Sequence, residues 1–272
     1  MNEKISLAGD LGSGKSTVSD ILINRLNAEY YSTGAIVRSI AQKRGMSVVE
    51  LNQYMETHPE IDNEIDDGLR ALVDVDKRLI IDSRLAWHFT PGTFKIYLSA
   101  DIETSALRIM CANRAGEHAA TLDETIAQTR ARRASEKKRY MEQYGVDIKD
   151  MSNYSLIVDT TVATPDQIAD IIVSAFEIWQ NNKDYKQVFI SPERLNYPDT
   201  PTDAERISEL SCSLDCGENI GVVEVFERDG EFYLSSGLEE ALAYSFNMNT
   251  FIPAVLVSGE PSGEYVKMKN SL

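Results

Sequence analysis

Short apolar runs alternate with longer stretches of helical spacing over the first two thirds of the chain. Four runs have the length and hydrophobicity of a buried strand: Ile5–Ala8, Arg78–Asp82, Phe94–Ala100 and Ser155–Asp159. After the first run, apolar residues recur every three or four positions as far as Leu26, which predicts an amphipathic helix. Strands that alternate with helices predict a parallel sheet covered by helices on both faces.

Two further helices have clear start signals. Thr121-Leu-Asp-Glu124 is a capping-box pattern, and it predicts a long charged helix to about Tyr144. A second pattern from Pro165 to about Trp179 places its apolar residues on one side, which predicts a helix packed against the sheet.

The pattern changes after residues 181–187, a polar segment predicted to be a linker. Arg228-Asp-Gly-Glu231 predicts a hairpin turn. The other predicted elements are a helix, Leu238–Phe246, and four β-rich runs, Val188–Ile190, Val222–Phe226, Phe232–Leu234 and Ile252–Val257. We therefore predict an α/β domain over residues 1–180 and a small α+β domain over residues 188–272.

The composition bounds the function. With 272 residues, 43% of them hydrophobic, the chain is able to bury a sizeable core. We find no signal peptide and no apolar run long enough for a membrane span, so we expect a cytoplasmic protein that binds no membrane. Three cysteines provide no disulfide framework. The net charge of −16 argues against a nucleic-acid polymer as partner.

A basic cluster stands out against this acidic background. Between Arg108 and Arg139 the chain carries eight basic side chains against four acidic ones. Such a cluster indicates either an anionic partner or a solvent-exposed helix face.

The strongest motif is Gly9-Asp-Leu-Gly-Ser-Gly-Lys-Ser16, which fits the P-loop pattern G-x-x-x-x-G-K-[ST] between a predicted strand and a predicted helix. Its glycines let backbone N–H groups surround phosphates, Lys15 reaches the β- and γ-phosphates, and Ser16 supplies a ligand to Mg²⁺. The predicted ATP-binding residues are Gly9, Gly12, Ser13, Gly14, Lys15, Ser16 and Thr17.

Binding of ATP leaves the acceptor open. The guanine-reading motif of GTPases is absent, as are the H-R-D and D-F-G signatures of protein kinases. A kinase for a small molecule remains.

Several strings in order along residues 4–176 resemble cytidylate kinases, particularly the short archaeal type. They are Tyr31–Arg38, Gly45–Ser47, His58–Asp66, Ile81–Ala86, Ser135–Tyr140 and Tyr144–Ile148. The resemblance implies a P-loop nucleoside monophosphate kinase that transfers a phosphoryl group from MgATP to CMP or dCMP.

The resemblance also implies an acceptor site. Ser32, Thr33, Gly34 and Arg38 would line the monophosphate pocket, and Arg84 would bind the acceptor nucleotide. A guanidinium fork suits a phosphate and neutralises it before attack. The alternatives are an exposed helix residue for Arg38 and a structural salt bridge for Arg84.

Acidic residues near these strings have two interpretations. Asp82, at a strand end, is predicted to hold Mg²⁺ with Ser16, and a capping or structural role is the alternative. Asp62, Asp66 and Asp67 fall on a predicted acidic helix, where we expect mostly a solvated face.

The basic cluster resembles the lid of such kinases. Arg108, Arg114, Arg132 and Arg139 would close over the phosphates and neutralise the charge on the transferred group. Arg132 and Arg139 flank the matching Ser135-Glu136 string, so with Lys15 they are the predicted catalytic residues. A surface role is the alternative for each arginine.

The sequence departs from the family near the base pocket, at Thr33, Ser83 and Trp87-His88, which leaves the acceptor open.

Residues 188–257 weakly resemble the ParB/sulfiredoxin-like fold, but Ser236-Gly-Leu-Glu-Glu240 replaces its phosphate-binding string, so we expect a non-catalytic module for a protein or regulatory ligand. Another small acceptor, or a nucleotide sensor without turnover, are the competing functions.

Overall fold

The computed structural model describes residues 3–112 and 121–268. Five short strands form its first part: β1 (Ile5–Gly9), β2 (Glu29–Ser32), β3 (Leu79–Asp82), β4 (Phe94–Ser99) and β5 (Leu156–Asp159). They pair in parallel in the order β2-β3-β1-β4-β5. Every residue of β1, β3 and β5 is buried, as expected of parallel strands that are covered on both faces.

Helices cover both faces of these strands. They are α1 (Lys15–Leu26), α2 (Thr33–Arg44), α3 (Val48–Met55), α4 (Glu60–Ala71), α5 (Ala86–Phe89), α6 (Ile102–Cys111), α7 (Leu122–Tyr144) and α8 (Pro165–Asn181). Leu22 of α1 and Phe176 of α8 share one core with Leu7 of β1. On the opposite face, Leu69 of α4 and Tyr140 of α7 pack with strand β3. The predicted α/β P-loop fold is confirmed.

Short polar side chains start several of these helices. The Thr121 hydroxyl accepts the backbone N–H of Glu124 at 3.2 Å, so the predicted start of α7 is confirmed. Complete capping boxes start α3 at Ser47 and α8 at Thr164. No helix among the described residues is long and apolar enough to cross a membrane.

The C-terminal section mixes short strands and helices. Its elements are β6 (Gln187–Ile190), β7 (Leu195–Pro198), α9 (Ala204–Asp215), β8 (Val223–Arg228), β9 (Glu231–Ser236), α10 (Leu238–Phe246), β10 (Ile252–Leu256) and β11 (Tyr265–Lys267). Asp229 and Gly230 both have positive φ, 55° and 87°, as a tight two-residue hairpin turn requires. The predicted hairpin turn is therefore confirmed.

One sheet runs through both parts of the chain. Strand β6 pairs in parallel with β5 and antiparallel with β10, and the described strands lie in the order β11-β7-β9-β8-β10-β6-β5-β4-β1-β3-β2. Tyr97 and Ile157 share a core with Val188 and Val225. The predicted linker thus contributes Gln187 to a strand. The division into two domains stays a prediction, because sheet and core both cross the proposed boundary.

The packing of α8 against the sheet generates a stability prediction. Phe176 is 1% exposed, and its ring centroid lies 5.8 Å from that of Phe94. We expect Phe176→Ala to lower the free energy of unfolding by about 3–5 kcal/mol, because the truncation leaves a cavity. Phe246→Ala is the matched control, since Phe246 is 68% exposed, and it should change that energy by less than about 0.5 kcal/mol. Urea unfolding measures both, and equal losses would contradict the assigned core.

Candidate active site

Residues Gly9–Ser16, which we call the phosphate cradle, join β1 to α1. Gly12 and Gly14 have φ of 75° and 83°, in the left-handed region that favours glycine. A Cβ on Gly12 would lie 2.4 Å from the carbonyl oxygen of Ser105, so a side chain is excluded there. The loop backbone therefore packs closely against α6 at Ser105. It then leads into the start of α1, where free N–H groups and the helix dipole favour an anion.

Lys15 folds back over the cradle. Its ammonium donates to the carbonyl oxygens of Asp10 at 2.8 Å and Gly9 at 3.1 Å. Burial and the neighbouring Arg84 lower the pKa of Lys15 to about 7, against the opposing effect of Asp82 and Asp10. A bound phosphate would favour the charged form of this amine.

Asp82 ends β3 beside the cradle. One of its carboxylate oxygens accepts the hydroxyl of Tyr30 at 2.9 Å and that of Ser32 at 3.5 Å. Asp82 and Ser16 line the same cleft, and the Tyr30 hydroxyl contacts both. Mg²⁺ in nucleotide sites takes one or two protein oxygens and completes its shell with phosphates and water. Asp82 and Ser16 therefore fit this ion. Among the described residues, no cluster of three or more His, Cys, Asp or Glu side chains could hold a metal without a nucleotide.

Two arginines of the cleft share one buried carboxylate. Glu136 accepts Arg84 Nε at 2.6 Å and Arg132 Nε at 3.0 Å. Burial alone would raise the pKa of Glu136, but Arg84 and Arg132 lower it to about 2. Arg84 does form a salt bridge, as the structural alternative supposed, and it also lines the cleft.

Arg139 lies deeper than Arg108 and Arg132, the other lid candidates that the structure describes. It is 3% exposed, pairs with Asp62 at 2.9 Å and donates to the carbonyl oxygen of Asn52 at 3.1 Å. Burial raises the pKa of Asp62 to about 6, against the opposing effect of Arg139. Arg139 thus joins α7 to α3 and α4 at the floor of the cleft.

The expectation of a solvated acidic face on α4 is wrong for two of its three residues. Asp62 and Asp66 are 5% and 3% exposed, and Asp66 accepts the Tyr144 hydroxyl. Only Asp67 lies at the surface, where it pairs with Arg70. The signal in the sequence is their spacing, since Asp62 and Asp66 follow Ile61 and Ile65 on the buried face.

The far side of the cleft is built on the start of α2. The Ser32 hydroxyl accepts the backbone N–H of Ala35, and the Thr33 hydroxyl donates to the carbonyl oxygen of Asp82 at 3.4 Å. Arg38 points into the cleft one turn later and forms no ion pair with any described residue. It is therefore a cation available to an anionic ligand.

One cleft brings most of the predicted site together. The predicted residues that line it are Gly12, Ser13, Gly14, Lys15, Ser16, Thr33, Gly34, Arg38, Asp82, Arg84, Arg132 and Arg139. The predicted residues Gly9, Thr17 and Ser32 do not line the cleft but are close in sequence to residues that do. Polar lining residues that the sequence did not single out as site residues include Asn52, Asp62, Asp66, Glu136 and Tyr140.

Other candidates lie elsewhere. Arg108 donates to the carbonyl oxygen of Thr160 at 2.7 Å beyond the end of β5, so its predicted place over the phosphates is not observed. Arg114 lies outside the described residues. Among the departures from the family, Thr33 and Ser83 line the cleft, whereas Trp87 packs against Tyr154.

Comparisons with known proteins show which families this chain is similar to. A family described as an AAA domain matches residues 5–121. The cytidylate kinase of Thermoplasma volcanium is 35% identical over 178 residues, which are 64% of this chain and 91% of that protein. An S-adenosylmethionine-dependent nucleotide dehydratase of Lacinutrix mariniflava is also 35% identical over 178 residues, 65% of this chain, but the match spans only 36% of that longer protein.

Among solved structures, a sulfiredoxin of Arabidopsis thaliana covers 27% of this chain and 85% of its own, with 22% identity and a TM-score of 0.25. At that TM-score the match carries no argument, and the sulfiredoxin-like resemblance of the C-terminal section stays a prediction.

The shared carboxylate generates a pH prediction. The pKa of Glu136 in the folded protein, about 2, lies below its ordinary 4.5, so its ionised form stabilises the fold above about pH 4.5 and this contribution is lost as the pH falls toward 2. We expect Glu136→Gln to be less stable than the parent at pH 6 and to lose less stability between pH 5 and pH 3.

Chemical unfolding followed by circular dichroism at each pH measures this difference. The control is Glu142→Gln, an exposed glutamate on the same helix, which should keep the pH dependence of the parent. The assignment fails if both variants follow the parent.

Proposed function

The chain belongs to the cytidylate kinase family, and on this premise we propose that it transfers the γ-phosphoryl group of ATP to CMP or dCMP. The observation that carries the proposal is the single cleft in which the phosphate cradle faces Arg38 and Arg84. A donor triphosphate on the cradle and an acceptor phosphate on these arginines would meet within one site. Positioning and charge neutralisation are the main requirements of phosphoryl transfer.

The donor end uses the cradle and Lys15. Backbone N–H groups at the start of α1 would bind the β-phosphate, and the Lys15 ammonium would exchange its two carbonyl contacts for phosphate oxygens. Ser16 and Asp82 would hold Mg²⁺, which supplies charge neutralisation between the β- and γ-phosphates.

The acceptor end uses Arg38 and Arg84. Arg38 is free to form a bidentate contact with the acceptor phosphate. An oxygen of that phosphate then attacks the γ-phosphorus in line, the bond from the γ-phosphorus to the β-phosphate oxygen breaks, and ADP leaves with that electron pair. Arg132 would stabilise the charge on the transferred group.

Before substrates bind, Glu136 pairs with two arginines of the cleft. It holds Arg84 and Arg132 near the cleft while their charges are neutralised. Phosphates that enter would compete with this carboxylate for both guanidinium groups. Binding of both substrates is therefore coupled to a change of partners on α7.

The acceptor panel tests the function directly. We expect ADP release from MgATP to accelerate with CMP or dCMP and to stay near background with UMP, AMP, GMP or no acceptor. Lys15→Ala should reduce turnover roughly 100-fold or more, because the donor loses its main side-chain cation. Lys43→Ala, an exposed lysine on α2, is the control.

Fast turnover with another acceptor would replace the proposed substrate, and tight ATP binding without turnover on any acceptor would favour a nucleotide sensor.

Arg38, the acceptor arginine without an ion pair to a described residue, generates a separate kinetic prediction. We expect Arg38→Met to raise the KM for the acceptor roughly tenfold or more and to leave the KM for MgATP within about twofold, since a charged hydrogen bond to the acceptor phosphate is lost. Initial rates with each substrate varied in turn give the two constants. Arg206→Met, an exposed arginine on α9, should change neither. A rise in the KM for MgATP alone would move Arg38 to the donor end.

A further inference from the structure

The phosphate cradle contains a buried acid that the proposed mechanism does not use. Asp10 is 4% exposed and follows Gly9 directly. Its carboxylate accepts the Tyr97 hydroxyl at 2.9 Å, the backbone N–H of Ala100 at 3.1 Å and the Lys149 ammonium at 2.6 Å. Arg133 lies 3.3 Å from the same carboxylate.

Asp10 fixes the part of the cradle that would contact the donor. Its backbone carbonyl accepts the Lys15 ammonium at 2.8 Å and the Ser13 hydroxyl at 2.8 Å. Its side chain ties the same residue to the end of β4 through Ala100 and Tyr97. A displacement of Asp10 would therefore move the groups that surround the β- and γ-phosphates.

A carboxylate in this place is unfavourable for a triphosphate unless its charge is compensated. Burial alone would raise the pKa of Asp10, but Lys149 and Arg133 hold it well below its usual range, so the carboxylate stays ionised. Without these two cations the donor would bind beside the uncompensated negative charge of Asp10. Because this carboxylate is buried, its repulsion of the phosphates would be only weakly screened by water.

The two cations come from different parts of the chain. Arg133 belongs to α7 and follows Arg132, whose side chain binds Glu136 in the cleft. Lys149 belongs to the segment after α7, and its ammonium also lies 5.0 Å from the centre of the Tyr97 ring. Both line a second, open cleft, which Glu227 and Arg228 of the β8–β9 hairpin also line.

We propose that Lys149 and Arg133 are positioning residues for the donor, which neutralise Asp10 and thereby hold the phosphate cradle in the shape that binds MgATP. The proposal deepens the proposed function and rests on it for the identity of the donor. Neither residue lines the cleft that would hold the substrates, so both act through Asp10.

The test compares Lys149→Met, Arg133→Met, Asp10→Asn and the double variant Asp10→Asn/Lys149→Met in the full chain. Calorimetry gives the Kd for MgATP without an acceptor, and initial rates give the KM for each substrate. We expect Lys149→Met to raise the Kd for MgATP roughly tenfold and to leave the KM for the acceptor within about twofold. Lys149→Arg, which keeps the charge, should restore most of the affinity.

The double variant shows whether Lys149 acts by neutralising Asp10 or only by supporting the local structure. Since Asp10→Asn removes the charge that Lys149 neutralises, we expect the double variant to bind MgATP more tightly than Lys149→Met alone. Lys137→Met is the matched control, because Lys137 lines the same second cleft but pairs with Asp147 at 3.1 Å. It should retain the parent Kd.

Two results would overturn the proposal. One is a Kd for MgATP that is the same in Lys149→Met, Arg133→Met and Lys137→Met. The other is a double variant whose loss equals the product of the two single losses. Thermal melting identifies a variant that does not fold. If Lys149→Met does not fold, the Kd for MgATP is compared between Arg133→Met and Asp10→Asn instead. Because MgATP binding is measured without an acceptor, failure of the proposed acceptor leaves this test intact.

Discussion

Parallel pairing of β2, β3 and β1 is the constraint on which the site depends. Its register sets Leu7 opposite Asp82 and Asp82 opposite Ser32, so the carboxyl ends of three strands meet at one edge of the sheet. The phosphate cradle, Asp82 and the start of α2 leave the sheet from that edge. Residues far apart in the chain are therefore neighbours before any side chain makes a contact, in agreement with the general position of ligands in open parallel sheets.

Compensated charge is the second organising feature. Glu136, Asp62 and Asp10 are each at most 5% exposed, and each is paired with an arginine or a lysine. Arginines on α7 take part in all three pairs, at Arg132, Arg139 and Arg133. One helix thus connects the cleft, its floor and the back of the cradle. These buried acids pair with the arginines and the lysine and hold them in place in a protein whose net charge is −16.

The sequence predicted the features that depend on local patterns. The cradle, the buried strands and the start of α7 follow from glycine positions, continuous apolar runs and a capping pair. Features that depend on tertiary contacts were missed. Asp62 and Asp66 look like a solvated face until Arg139 and Tyr144 are seen to approach from α7. Strand β2 has only four residues, none of them buried, so its apolar signal is weak. The role proposed for Asp10 depends on Lys149, which lies 139 positions away along the chain.

The continuous sheet covers the hydrogen-bonding edge of β5 with β6. Without β6, the hydrogen-bonding edge of β5 would be open, and an open edge next to apolar side chains is a template for pairing with another chain. In the observed order that edge is covered, and among the described strands the two outer ones are β2 and β11, with four and three residues. The C-terminal section therefore covers the edge of the parallel sheet.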